Sequence, residues 1–425
     1  MSSRNTSIRL LAAVLASGAF EEDPMMSRAA GLLGSRPRWL RPLVRDLLAE
    51  FGSPNRPPER EIRNAIRSSA RFSRARSKGK VALAGSWLWE SSMVPALGAP
   101  QSWQLPSLTR LADTAEWLGL ETSQLLWLTR HGGKDHYHHR WIPKRRGGWR
   151  LLESPKPLLK RTQRRILDAL LHHIPVHEAC HGFRPGGSIR QFIAPHTGQN
   201  VVLKIDLADF FPSVTAARIF RIFLNAGYPE HVAQVLTRLT THPTPSSSLP
   251  AHLTMLERQR LRTPHLPQGA PSSPTLANLA AFRLDCRLSG LAQATEASYT
   301  RYADDLLFSG GEQFARAANR FQIAVIRVIS QEGFRPNPRK TRVMHTSQRQ
   351  KAAGVILNES PNIDRREWDR LKATLTNCLR HGLESQNREA HPNFRDHLAG
   401  KISWVESIAP ARGETLRAIF RQIPD

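Results

Sequence analysis

The apolar positions of the chain change period along its length, and the changes mark its elements. From Ser107, "SLTRLADTAEWLGLETSQLLWLTR" repeats Leu, Trp and Ala three or four apart, which predicts two packed helices with Trp117 and Trp127 in the core. "LKRTQRRILDALLHHIP" keeps that period as an amphipathic helix with Arg161, Arg164 and Arg165 on its polar side. Between them, "WIPKRRGGWRLLESPKP" (Trp141 to Pro157) reads as two extended runs joined by a basic turn at Gly147 and Gly148. In "NVVLKIDLADFFPSV" the pattern becomes an apolar run, Val201 to Ile205, of the kind covered on both faces of a sheet, running into a turn and helix. "LPQGAPSSPTLANLAAFRLDCRLSGL" is a loop feeding a long helix. "YTRYADDLLFSG" is a second hairpin, Tyr299 to Tyr302 against Leu306 to Phe308. From about Asp364 the period is helical and predicts a separate small domain. "IRLLAAVLASGAF" imitates a short signal peptide, but Ile8, Leu11, Ala12 and Leu15 follow helical spacing and "EEDP" suits a helix stop.

Composition narrows the class. At 425 residues and 40% hydrophobic content the chain can form two or three domains with a substantial core. Its 61 Lys and Arg against 35 Asp and Glu give a net charge of +26, expected of a protein that neutralises many phosphates. An anionic membrane is the competing partner. The arginines, however, are spread over the whole chain rather than gathered in one helix or tail, and no run approaches the ~18 apolar residues of a membrane span. "RNAIRSSARFSRARSKGK" (Arg63 to Lys80) reads equally as an RNA-binding arm or as a solvated or disordered basic linker. Cys180, Cys286 and Cys378 form no CxxC pair, so neither a disulfide framework nor a zinc site is expected, and a reducing cytoplasm fits.

The candidate chemistry lies in the two apolar hairpin and strand segments. Adjacent Asp304 and Asp305 sit at the turn of the second hairpin, where carboxylates that crowd each other need a cation. A third carboxylate is supplied by Asp206, at the end of the Val201 to Ile205 strand; Asp209, three residues on, lies where the chain turns and takes a structural role. Two such elements side by side would converge three carboxylates, a set suited to paired Mg²⁺ and to nucleotidyl transfer by in-line displacement.

"YADD" within a hairpin, "LKIDLADFFPSV" upstream and "LPQGAPSSPTLANL" between them resemble, in order, the signature blocks of reverse transcriptases, specifically the bacterial retron type. The resemblance covers roughly residues 107 to 410 and implies an α+β right-hand polymerase fold with fingers, a ferredoxin-like palm and a helical thumb. The domains are then a basic N-terminal extension over 1–106, a helical region and fingers over 107–200, a palm over 201–360 with fingers elements inserted, and a thumb over 361–425. It further implies that Asp206, Asp304 and Asp305 hold two Mg²⁺ ions, and that Phe211 lies under the sugar of the incoming dNTP, where a ring would clash with a 2′-hydroxyl. Gln268 matches a residue contacting nucleotide or template, Arg150 and Lys144 match triphosphate-binding positions, and Lys340 matches a basic residue that protonates or neutralises pyrophosphate. "AAGVILN" (Ala352 to Asn358) resembles the strand that grips the primer.

Members of this group bind a folded noncoding RNA, begin synthesis from a guanosine 2′-hydroxyl, make branched RNA-linked DNA (msDNA), and commonly act in phage defence with an effector protein. Two departures stand out. Where the family has Asn-Ala-x-x-His, this chain has Phe192, Ile193 and His196; where it has Val-Thr-Gly, this chain has Ala352, Ala353 and Gly354. The His-rich "HGGKDHYHHR" (His131 to Arg140) has no accompanying Cys and is expected to be structural or RNA-facing. Rival readings are a bacterial defence or mobile-element reverse transcriptase without a branched product, and a catalytically silent RNA-binding protein.

Overall fold

Continuous apolar strands need cover on both faces, and in this chain the helices supply it. The computed structural model describes residues 3–16, 20–52, 57–79, 81, 101–130, 135–144 and 147–424. The chain divides into two compact units, Met1–Pro175 with Phe211–Leu276, and Val176–Phe210 with Ala277–Asp425.

The first unit opens with five helices, α1 (Ser3–Ala16), α2 (Glu22–Leu33), α3 (Leu40–Phe51), α4 (Glu59–Ser68) and α5 (Ala70–Ser77). They share one core built from Leu11, Leu15, Met25, Leu40, Leu43, Ile62, Ile66 and Phe72. The basic stretch is therefore neither arm nor disordered linker over its described residues: Ile62, Ile66 and Phe72 anchor one face while Arg60, Arg67, Arg74 and Arg76 stay exposed. Its low hydrophobicity concealed a strict helical spacing of a few large apolar side chains. Ser69 ends α4 and caps α5, accepting the Phe72 amide on its hydroxyl. Further on, the expected helix pair is present as Leu111–Leu118 and Thr122–Thr129, but Trp127 is 45% exposed, its ring against His136. The basic hairpin consists of β1 (Tyr137–Pro143) and β2 (Trp149–Pro155) in antiparallel register.

In the second unit, β3 (Val201–Asp206), β4 (Ser298–Tyr302), β5 (Asp305–Gly310) and β6 (Arg342–His345) form an antiparallel sheet in the order β4-β5-β3-β6. This is the order of a β-α-β-β-α-β ferredoxin-like sheet. The helices Phe282–Gln293 and Glu312–Gln331 pack against β4 and against β3, β5 and β6. A small sheet of β7 (Lys351–Ala352), β8 (Val355–Ile356) and β9 (Asn362–Ile363) follows, and then the helices Arg365–His381, Phe394–Ile408 and Pro410–Arg421. Those last helices were expected to stand apart. Instead Leu371, Leu375, Ile402 and Leu416 share one core with Val202 of β3, Leu307 of β5 and Phe192.

His196 fixes the segment behind this sheet. It is fully buried, with Nδ1 2.7 Å from Ser309 Oγ and Nε2 2.8 Å from Thr300 Oγ1. Thr300 donates its own hydrogen to the Phe192 carbonyl, so it accepts from His196 Nε2–H, and Ser309 donates to Nδ1. Burial pushes the imidazole down from 6.5 to about 3. Between those two pH values the unfolded chain takes up a proton that the folded chain does not, so stability falls as pH drops below 6.5. His196→Gln should remove about one proton from this linkage. The urea midpoint of the variant, followed from pH 6.5 to pH 4, should lose stability less steeply than the parent by about 1.4 kcal/mol per pH unit. Equal slopes would mean that His196 is not held neutral.

Candidate active site

The strand register assembles the three aspartates. Asp206 at the end of β3 is directly opposite Asp305 at the start of β5, and Tyr302 of β4 is opposite the same Asp305. That leaves Ala303 and Asp304 as a two-residue turn, so Asp305 belongs to the strand and only Asp304 to the turn expected to carry both. Asp206 is 3% exposed; its Oδ1 accepts from Asn337 Nδ2 at 3.0 Å and its Oδ2 from Lys340 Nζ at 2.7 Å. Asp305 Oδ2 accepts from Lys204 Nζ at 2.8 Å. Lys204 lies two residues before Asp206 and so projects from the same face of β3.

Asp304 is pushed up to about 6, chiefly by burial and then by the charges of Asp206 and Asp305. Burial acts to lower Lys340, but its hydrogen bond to Asp206 and the surrounding carboxylate charges outweigh this and raise it. The donor set is all carboxylate oxygen, concentrated at adjoining strand ends and mutually repulsive, which fits a hard divalent cation. Asp209 takes the structural place expected of it, at φ 50 in the turn after β3, paired with Arg335 at 3.2 Å.

The turn itself is strained. Ala303 has φ 55, a left-handed value at the first position of a two-residue hairpin turn where glycine is preferred, at a cost of about 1–3 kcal/mol. Arg301, fully buried, holds it there by donating from Nη1 to the Ala303 carbonyl at 3.1 Å and to Asn278 Oδ1 at 2.9 Å. Its Nε and Nη2 form a two-pronged pair with Asp285 at 2.8 and 2.6 Å. Tyr299 donates its hydroxyl to Asp285 at 2.7 Å, and the guanidinium lies over the Phe210 ring at 5.8 Å. Gly182, in the Gly-rich loop "HGFRPGGSI" (His181 to Ile189), passes so close that a Cβ there would lie 2.8 Å from the Ala303 amide.

Arg301, Asp285, Asn337 and Lys204 were not anticipated from sequence. For Arg301 a signal existed: a charge inside a buried strand, between two tyrosines, requires a partner. The structure brings Lys340 to Asp206, at 2.7 Å. Phe211, Gln268, Arg150 and Lys144 belong to the other compact unit. Phe211 is half-buried, and Gln268 is half-buried with its carbonyl accepting from the Glu153 amide of β2 at 2.8 Å. Gly269 follows at φ 128, where a Cβ would come 3.1 Å from the Glu153 carbonyl oxygen. Arg150 and Lys144 are exposed on the basic hairpin.

Paired carboxylates at adjoining strand ends of a ferredoxin-like sheet suit metal-assisted nucleotidyl transfer. Comparison with known proteins makes the class specific. Residues 142–359 match the family described as reverse transcriptase (RNA-dependent DNA polymerase). The retron Mx65 reverse transcriptase of Myxococcus xanthus is 40% identical over 319 residues, 73% of this chain and 71% of that protein. The retron Mx162 reverse transcriptase of Myxococcus xanthus is 36% identical over 344 residues, 76% of this chain and 68% of that protein. The retron Ec86 reverse transcriptase of Escherichia coli is 29% identical over 310 residues, 72% of this chain and 86% of that protein. The chain belongs to the reverse transcriptase family, in its retron branch, and is an RNA-directed DNA polymerase.

The buried pair under the turn makes a sharp prediction. Asp285→Asn leaves Arg301 charged and unpaired, and should destabilise the protein by roughly 3–5 kcal/mol in urea unfolding. Adding Arg301→Met should recover much of that loss without recovering polymerase activity, because the Ala303 carbonyl then lacks its donor. A double variant with full activity would show that the pair is not needed to hold the Asp304 turn for catalysis.

Proposed function

We propose that this enzyme copies a cognate structured noncoding RNA into single-stranded DNA that stays joined to the RNA through a 2′,5′ branch, as part of an antiphage retron system with an effector protein. The observation that carries the reading is the opposition of Asp206 and Asp305 on neighbouring strands with Asp304 in the turn between β4 and β5. In this reading the β3–β6 sheet lies in a palm spanning 201–360, the β1–β2 hairpin in a fingers region within 107–200, and the C-terminal helices form a thumb over 361–425. Residues 1–106 are a basic extension, whose exposed arginines on α4 and α5 add cationic surface. The chain acts in the cytoplasm; no helix among the described residues is long and apolar enough to cross a membrane.

Asp206, Asp304 and Asp305 would hold two Mg²⁺ ions, which when bound activate the attacking hydroxyl and stabilise the leaving pyrophosphate. The chain's own groups then do the rest. Lys340, 2.7 Å from Asp206, keeps a proton close to the carboxylates and serves to protonate or neutralise the pyrophosphate. Arg150 and Lys144 bind the triphosphate of the dNTP, Gln268 orients nucleotide or template, and Phe211 excludes the 2′-hydroxyl.

A second reading, a reverse transcriptase making unbranched DNA, is favoured by the altered blocks at Phe192, Ile193 and Ala352, all of them buried. Expression of the gene with its flanking DNA, followed by isolation of small nucleic acids, separates the two. A branched product that disappears in Asp304→Ala supports the first reading, and aspartate-dependent unbranched DNA supports the second. DNA unaffected by Asp304→Ala, or no DNA with the RNA present, would defeat both. For the sugar gate, Phe211→Ala should raise ribonucleotide incorporation in a primer-extension assay with rNTPs; unchanged discrimination would remove that role.

A further inference from the structure

A second cluster of ligating side chains lies within the first compact unit. His139 of β1 and Glu153 of β2 are directly opposite in the hairpin register, so their side chains share one face. His242, which follows the helix Glu230–Thr240, brings its Nε2 to 3.0 Å from His139 Nε2. Glu153 Oε1 lies 3.7 Å from His139 Nε2 and 4.0 Å from His242 Nε2. Asp135 adds Oδ1 at 3.7 Å from His242 Nε2 and Oδ2 at 3.4 Å from His139 Nδ1. Asp135, His139 and His242 each offer a ligand atom within 4.8 Å of those of the other two.

The separations that meet at His139 Nε2 and His242 Nε2, 3.0 to 4.0 Å, bracket the edge of a tetrahedral zinc site, about 3.3–3.4 Å for ligands ~2.0–2.1 Å from the ion, while Asp135 Oδ2 stands on the other ring nitrogen of His139 and orients that ring. Two imidazole nitrogens face each other, and no more than one hydrogen can lie between them, whereas a cation would engage both lone pairs. The surrounding shell is also in place. Glu153 accepts on Oε1 from the Thr244 hydroxyl at 2.7 Å and faces His265 Nε2 with Oε2 at 3.1 Å. The His242 ring stacks on Tyr137 at 4.1 Å, which fixes its plane. Such outer contacts orient ligands before a metal arrives. A cavity of about 520 Å³, lined by Asp135, Tyr137, Thr241 and His242, provides the way in.

We propose that His139, His242, Asp135 and Glu153 form a binding site for zinc or a similar borderline divalent ion, separate from the catalytic aspartates. Nitrogen-rich ligands favour such an ion over Mg²⁺, which selects all-oxygen sites. The site would pin the basic hairpin to the segment after the helix Glu230–Thr240, giving it a structural function.

The test uses the full chain purified without a histidine tag, loaded with Zn²⁺, desalted and analysed for metal by mass spectrometry. A parallel sample loaded with Co²⁺ is read by visible absorption. The expected result is zinc bound one-to-one and the intense bands of tetrahedral cobalt, with both lost in His139→Ala and His242→Ala. Asp135→Asn, a partly exposed position that puts folding at less risk, should weaken zinc by about 10–100-fold in competition with a chromophoric chelator. Asp304→Asn should keep its zinc. The site is refuted if the parent chain retains no zinc, if cobalt shows only the weak bands of an octahedral ion, or if the metal survives in folded histidine variants. Zinc that is lost in Asp304→Asn and unchanged in Asp135→Asn would belong to the catalytic carboxylates and would equally refute it.

Discussion

Mutual repulsion among Asp206, Asp304 and Asp305 is the constraint around which the second unit is arranged. A chain gains nothing in stability by gathering acid at the end of an apolar sheet, so each carboxylate needs a local counterweight. Asp206 has Asn337 and Lys340, and Asp305 has Lys204. Asp304, raised towards neutrality, feels burial and both neighbours. The arrangement tolerates no slip in register, since moving β3 by one residue against β5 would turn Asp206 to the opposite face and expose its apolar partners.

Arg301 answers a related difficulty one layer deeper. Burying a guanidinium is costly, and a paired buried ion adds little net stability. Here it has a second consequence, because the same guanidinium that satisfies Asp285 also reaches Asn278 and the carbonyl of Ala303. Asn278 in turn donates to the Gly182 carbonyl at 2.8 Å, tying the Gly-rich loop to the same point. The positive φ of Ala303 is thus over-determined from two sides, which is how a strained turn persists in a folded protein.

Legibility in the sequence followed distance along the chain. The strand Val201 to Ile205, the hairpin around "YADD" and the helices after Ser107 were all readable, because each is specified by its own periodicity. Lys204 was hidden because its side-chain partner is 101 residues away, and Asn337 because its partner Asp206 is 131 residues away. The His-rich stretch looked incomplete as a ligand set because His242 stands 103 residues beyond His139. Trp127 failed for a different reason: helical spacing names the apolar face, but the short helix Thr122–Thr129 leaves both Leu126 and Trp127 exposed. The N-terminal helices were obscured by composition, since about one buried apolar residue per turn suffices to anchor a helix that is otherwise strongly basic.

The altered family block can be understood on the same physical footing. Phe192 and Ile193 replace the Asn and Ala of the family's pattern, and both are fully buried, in one core with Val202, Leu307 and Met344. Both changes add apolar volume, and the first removes an amide that would need hydrogen-bond partners, so here the layer behind the sheet is filled by hydrophobic packing alone. His196 is held differently. Its two ring nitrogens meet Thr300 on β4 and Ser309 on β5, the two strands whose turn carries Asp304, and no apolar side chain could replace both contacts. Losing it would take away the hydrogen-bond partner that joins these two hydroxyls across the hairpin, leaving Thr300 only its bond to the Phe192 carbonyl and Ser309 only the longer one to the Pro195 carbonyl. The residue of the block that this chain keeps is therefore the one whose two ring nitrogens bridge the hairpin's strands.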